Sequence, residues 1–208
     1  MIDTMSLEEM RSYKGSHPRP DDFDAFWEDC LSQVSKLPDY NLCQKDFQIP
    51  SADFYSLEFK GANGSKIYSK CCFPKSDQPV PVLFYFHGYQ GQSPDWSENL
   101  KFVAAGCAVV CMDVRGQAGR STDRGQFDGI TVKGQVIRGA SSGREHLFYK
   151  DVYLDIYQLI EIVASLPQID EERCYAYGAS QGGALAAVAG ALNPRIKRVV
   201  RIYPFLSD

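Results

Sequence analysis

Two stretches of this chain are apolar almost without interruption, Val80 to Phe86 and Cys107 to Asp113. A strand that reads this way is covered on both faces, which is the habit of parallel sheets flanked by helices. Pro81 is tolerated because the first residues of a strand need not donate to the ladder. Between the two runs a helix is predicted from about Trp96 to Ala105, with Gly106 stopping it. A longer helix follows the second run, with Tyr149, Val152, Tyr153, Ile156, Leu159, Ile160 and Val163 on one face and Pro167 beyond its end. Upstream, Phe54–Lys60 and Lys66–Phe73 alternate as a hairpin around Asn63-Gly64. The chain therefore predicts an antiparallel start followed by strand–helix units. That is an α/β fold with a mostly parallel sheet and helices on both faces.

The 208 residues, 44% hydrophobic and 23% charged, suit a single domain spanning 1–208. Before the hairpin, Asp21 or Asp22 can cap a helix carrying Phe23, Phe26, Trp27, Cys30, Leu31 and Val34, with Pro38 ending it. That aromatic stripe reads as core packing. A last strand is predicted over Lys197–Pro204. From Ala118 to about Glu145 no periodicity is visible and glycine recurs, at 129 among other positions. A loop of that length inside a domain is usually functional, and it leads straight into a helix, so it is predicted to be ordered near the site.

The chemistry concentrates at Arg173–Gly183. An alternating run ends at Tyr177, Gly178-Ala179-Ser180-Gln181-Gly182 follows, and a small-residue helix runs from Gly183 to Leu192. Strand, tight turn and helix with a serine at the apex is the arrangement of a nucleophile elbow. Gly178 and Gly182 fit where a side chain would collide with a neighbouring strand or helix. The Gln181 amide, at the helix start, would face a developing oxyanion. The second donor should come from the loop after Phe86, where His87-Gly88-Tyr89 lies, and Tyr89 N–H is the choice. In open α/β sheets ligands sit beyond the carboxyl ends of the strands, where His87, Arg115 and Ser180 all fall.

A serine hydroxyl needs a base, and on this fold the partners follow the serine as Asp or Glu, then His. After Ser180 the only acid is Asp208 and there is no histidine. His17, His87 and His146 all precede it. His17 reads as solvated. His87 reads as shaping the oxyanion loop through its ring hydrogen bonds, and His146 as starting a helix at the loop's exit. His87 and His146 stay open as weak candidates for the base.

The net charge of −4 and pI near 5.4 argue against a nucleic-acid partner. No apolar run approaches the ~18 residues of a membrane span, and Met1–Arg11 lacks a signal-peptide core, so a cytoplasmic location is expected. Seven cysteines, an odd count without a secretion signal, do not make a disulfide framework. Cys107, Cys111 and Cys174 read as small buried residues, and adjacent Cys71-Cys72 lacks a metal-ligand spacing, so no metal is expected.

Gly178-Ala179-Ser180-Gln181-Gly182-Gly183 resembles the nucleophile motif of the acetyl xylan esterase and cephalosporin-C deacetylase family. Arg115-Gly116-Gln117 resembles that family's Arg-Gly-Gln motif. A second copy, Arg124-Gly125-Gln126, does not follow a strand and reads as turn chemistry. Arg19–Trp27, Phe86–Tyr89, Leu166–Asp170 and Tyr203–Leu206 are similar to further family segments in the same order. The resemblance implies an α/β-hydrolase fold, a Ser–His–Asp triad and no cofactor. It implies acetyl-ester hydrolysis on small acetylated carbohydrates, xylan or cephalosporin C, and a ring-like homo-oligomer. Family members are longer, and their Asp and His-Glu motif lie after the last strand found here. The resemblance thus covers an N-terminal portion, with the C-terminal strands missing.

Two expectations follow. The 208 residues alone should be nearly inactive, and Val199, Val200, Ile202, Tyr203, Phe205 and Leu206 should form an apolar sheet edge prone to self-association. A peptidase or lipase on the same fold is the competing hydrolase, although the loop around the site is polar. A non-catalytic remnant binding carbohydrate or protein is the reading from another class.

Overall fold

The computed structural model describes residues 5–128, 132 and 134–205. Its strands are β1 (Tyr40–Lys45), β2 (Ala52–Lys60), β3 (Lys66–Pro74), β4 (Val80–Phe86), β5 (Ala108–Met112), β6 (Ile169–Ala179) and β7 (Ile196–Ile202). Its helices are α1 (Leu7–Ser12), α2 (Phe23–Ser32), α3 (Leu100–Ala104), α4 (Phe148–Ala164) and α5 (Gln181–Leu192). The strands make one sheet in the order β1-β2-β3-β5-β4-β6-β7. The pairs β5–β4, β4–β6 and β6–β7 are parallel, and the pairs from β1 to β5 are antiparallel. The antiparallel share exceeds expectation because β1 adds a strand to the hairpin's outer edge.

The two apolar runs form β4 and β5 at the centre of the sheet. All of β5 is buried. In β4, Val82, Phe84 and Phe86 are fully buried, while Leu83 and Tyr85 on the other face are only half covered. The difference lies in the helices. Val152, Ile156, Leu159, Ile160 and Val163 of α4 join Leu185 and Ala186 of α5 in the main core. On the opposite face the five-residue α3 contributes Val103 to a small cluster with Ala52, Phe54 and Cys72. Pro81 falls where the β4–β6 register shifts between Val80 and Val82, so its missing donor costs no ladder bond.

Several boundaries move. Helix α2 stops at Ser32, short of Pro38, and Asp22 occupies its cap position without a side-chain cap bond. The Asp22 carboxylate pairs instead with Arg144. The predicted Trp96–Ala105 helix is a 3-10 turn, Trp96–Asn99, followed by α3. Strand β7 ends at Ile202, because Tyr203 takes a positive φ of 34°. Leu206 and Asp208 lie outside the described residues, as does Gly129 of the long loop.

Within the described part of that loop the backbone is tied down. Thr122 N–H donates to Lys66 O at 2.8 Å and Phe148 N–H to Arg138 O at 2.9 Å. The Arg138 guanidinium donates to Asp123 at 2.7 Å. The hairpin turn Ala62–Gly64 takes positive φ at Asn63 and Gly64, as its sequence demands. It docks on α4, with Ala62 N–H donating to Asp155 Oδ1 at 3.0 Å.

Candidate active site

Ser180 lies between the last residue of β6 and the first of α5, at φ 54° and ψ −123°. This conformation is costly for a residue with a Cβ and persists only where its surroundings enforce it. Here they do. Ser180 N–H donates to Ile202 O at 3.0 Å, and Ser180 O accepts from Gly183, Ala184 and Phe205. A Cβ on Gly178 would lie 2.3 Å from Gly182 backbone atoms, and one on Gly182 would lie 2.0 Å from Phe86 O. Both glycines are therefore steric requirements of the turn packing against β4. The Ser180 side chain is half-buried, and its Oγ makes no hydrogen bond among the described residues.

The loop leaving β4 reaches the same place. Gly91 N–H closes it back onto Gly88 O at 3.0 Å, and Gln90 sits at a positive φ of 54°. The amides of Tyr89 and Gln181 donate to no acceptor among the described residues. Unpaired backbone donors are uncommon, and free amides near an unpaired hydroxyl are what an acyl-transfer site requires.

The His87 ring is buried, with both nitrogens engaged. Val114 N–H donates to Nε2 at 3.0 Å, so Nδ1 carries the proton and donates to Gly88 O at 2.8 Å. Burial lowers its pKa, against the opposing influence of Gly88 O and Asp113, and the ring stays neutral. It fastens the loop after β4 to the end of β5 and has no nitrogen left to act as a base. His17 is exposed beside Ser16. His146 is exposed in a 3-10 turn ahead of α4 and does not begin that helix. It lines a cleft of about 410 Å³ with Arg124, Phe127 and Lys150.

Arg115 follows a strand end, but its side chain turns inward. It is fully buried, donating from Nε and Nη2 to both oxygens of Asp155, at 2.7 and 2.6 Å. Nη1 reaches Asp151 at 3.2 Å and Nη2 also donates to Ala62 O at 2.8 Å. Burial alone would lower the Arg115 pKa; Asp155 and Asp151 more than reverse this, and it is raised. Burial pushes Asp155 up to about 6, even against the pull of Arg115. Arg115 thus locks the hairpin turn to α4 and lies behind the site. Gly116, at φ 67°, makes the bend that sends Gln117 the other way, towards Gln181. In the second motif copy, Gly125 N–H closes a local turn on Asp123 Oδ1 at 3.0 Å, while Arg124 N–H ties the loop to Ser65 Oγ at 2.9 Å.

Tyr149 was expected as a core residue. It stacks on Tyr153 at 5.7 Å, yet its hydroxyl donates to Gln181 Oε1 at 2.5 Å. Helical spacing identifies the buried ring but says nothing of where the hydroxyl points.

The chain matches the acetyl xylan esterase (AXE1) family profile over residues 1–208. Acetyl esterase Axe7A of Xylanibacter ruminicola is 31% identical over 197 residues, covering 91% of this chain and 44% of that protein. Acetyl xylan esterase 1 from Thermoanaerobacterium sp. JW/SL YS485 superposes with a TM-score of 0.91 at 42% identity, over 98% of this chain and 65% of that one. The acetyl xylan esterase from Paenibacillus sp. R4 gives 0.88 at 31% identity, over 97% and 65%. The chain therefore spans less than half of the curated relative and just under two thirds of the solved enzymes.

Proposed function

The chain belongs to the acetyl xylan esterase family, and from that premise we propose that Ser180 is the nucleophile of a serine esterase that removes acetyl groups from acetylated sugars. The same chemistry extends to the acetyl ester of cephalosporin C. The observation that carries this reading is the strained φ of 54° at Ser180, at the bend into α5, where the hydroxyl and the following Gln181 amide have no hydrogen-bond partner among the described residues. Strain of this kind persists where it serves the chemistry.

Ser180 Oγ attacks the acetyl carbonyl carbon while its proton passes to a base. The carbonyl electrons move onto oxygen, and the N–H groups of Tyr89 and Gln181 stabilise the oxyanion. Collapse breaks the ester bond, and the departing sugar alkoxide takes the proton from the base. Water then repeats the addition on the acetyl-serine, releasing acetate and regenerating Ser180. His87 holds the oxyanion loop. The base is a histidine from outside the described residues, which in the family pattern follows the last strand. Without it, amides and binding alone leave ~10³–10⁴ over the uncatalysed rate.

The test is hydrolysis of 4-nitrophenyl acetate by these 208 residues, with and without added imidazole, beside Ser180→Ala. Turnover far below ~1 per second is expected without imidazole. Imidazole should add a component that Ser180→Ala lacks. Finding no component that depends on Ser180, at any imidazole concentration, would refute the nucleophile. Ser180-dependent turnover of ~1 per second without imidazole would refute the missing base.

A further inference from the structure

The two amides read here as oxyanion donors belong to different elements. Tyr89 sits in the loop after β4, and Gln181 begins α5. Their N–H groups can hold one oxygen only if the separation of these elements is fixed. The backbone bonds of residues 88–91 do not fix it, because Gly91 N–H closes onto Gly88 O and the His87 ring ties Gly88 to the end of β5, not to α5.

A side-chain bridge spans the gap. Gln90 N–H, one residue beyond Tyr89, donates to Gln117 Oε1 at 2.9 Å. Gln117 and Gln181 pair through their carboxamides in both directions, Gln117 Nε2 to Gln181 Oε1 at 2.7 Å and Gln181 Nε2 to Gln117 Oε1 at 3.0 Å. The remaining capacity is also used. Gln117 Nε2 donates to Gly134 O at 3.2 Å, Gln181 Nε2 to His87 O at 3.4 Å, and Tyr149 donates to Gln181 Oε1. Burial raises the Tyr149 pKa, so its hydroxyl remains a donor. Each amide hydrogen meets an acceptor and each amide oxygen meets two donors, so rotating either carboxamide would set donor against donor.

The site around Gln117 leaves no slack. A Cβ on Gly134 would lie 2.7 Å from Gln117 Cγ. Gln90 is held at a φ disfavoured for a residue with a side chain, and Gln117 Oε1 is its tether.

We propose that Gln117 is a positioning residue that sets the spacing of the Tyr89 and Gln181 amides, by clamping the loop after β4 to the first turn of α5. It touches neither substrate nor oxyanion and acts through Gln90 and Gln181. The proposal rests on the reading of those two amides as the oxyanion donors. It makes the Arg-Gly-Gln segment a divided part, in which Arg115 fixes the scaffold behind the site and Gln117 fixes the site's width.

The experiment compares the 208-residue chain with Gln117→Met, which keeps the volume without the hydrogen bonds, and Gln117→Glu, which keeps the acceptor for Gln90 but loses the donor. The first readout is the rate at which a fluorophosphonate probe labels Ser180 in the presence of imidazole, by peptide mass spectrometry. The second is hydrogen exchange of the Gln90 amide. Both variants should label ~10- to 100-fold more slowly, the cost of a misplaced oxyanion donor, with β6 and α5 amides as protected as in the wild type. The Gln90 amide should exchange faster in Gln117→Met and stay protected in Gln117→Glu. Labelling within twofold of wild type in either folded variant would overturn the proposal, as would an unchanged Gln90 amide in Gln117→Met. If the unsubstituted chain is not labelled at Ser180, the esterase reading fails instead, and the exchange result still judges the clamp.

Discussion

Replacing Asp155 by Asn tests whether the charges behind the site hold the scaffold together. Asp155 is 1% exposed and Arg115 not at all. The carboxylate accepts two guanidinium hydrogen bonds and the Ala62 N–H. An asparagine has the same shape but lacks the charge and one acceptor, so in either orientation its N–H₂ group faces an Arg115 N–H, and in one of them the Ala62 N–H as well. Removing one partner of a buried pair typically costs about 3–5 kcal/mol, because the other charge stays buried. Asp151 still reaches Arg115 at 3.2 Å, which places the loss near the lower end, at ~3 kcal/mol. For a domain of this size each kcal/mol lowers Tm by about 2–4 °C, so the variant should melt ~6–12 °C below wild type. Scanning calorimetry provides the measurement, with Asp170→Asn as control. Asp170, partly exposed, pairs with exposed Arg173 at the surface, where such a pair contributes ~0–1 kcal/mol. A drop under ~2 °C for Asp155→Asn would refute the argument that this pair ties the hairpin turn to α4.

Two further outcomes are expected. His87 is neutral in the fold and its pKa is depressed, so the unfolded chain binds more protons below the ordinary histidine value; stability should therefore fall as pH drops below ~6.5, by at most ~1.4 kcal/mol per pH unit, and His87→Asn should remove that slope. Among the described residues strand β7 is one edge of the sheet and exposes Val199 and Val200, with exposed Tyr203 just beyond it, so sedimentation should find the chain self-associating and Val200→Lys should reduce it, whereas a monodisperse wild-type monomer would contradict the edge argument.

Much of the fold can be read locally. The strand over Val80–Phe86 and the buried stripe of α4 follow from apolar periodicity, and the elbow from two glycines around a serine. Strand β1 escaped because Tyr40–Lys45 is largely exposed and polar, so no alternation marks it. Helix α1 buries nothing, although the Ser6–Glu9 capping box was a signal within reach. The site divides in the same way. The strand–turn–helix placement of Ser180 and Gln181 was legible because a glycine-flanked serine between an alternating run and a small-residue helix marks such a bend. Where Arg115 turns was not legible, because Asp151 and Asp155 look like the polar face of an amphipathic helix. The Gln117–Gln181 pair joins residues 64 apart in sequence, and no local pattern couples them.

The central claim is that one strained serine and two amides converge on a single point. A crystal structure of the chain soaked with methylboronic acid tests it most directly, since boron bonded to a serine Oγ reproduces the tetrahedral intermediate. The expected result is a Ser180 adduct with one boronate oxygen ~2.7–3.1 Å from both Tyr89 N and Gln181 N. A boronate on Ser180 whose oxygens meet neither amide would contradict it.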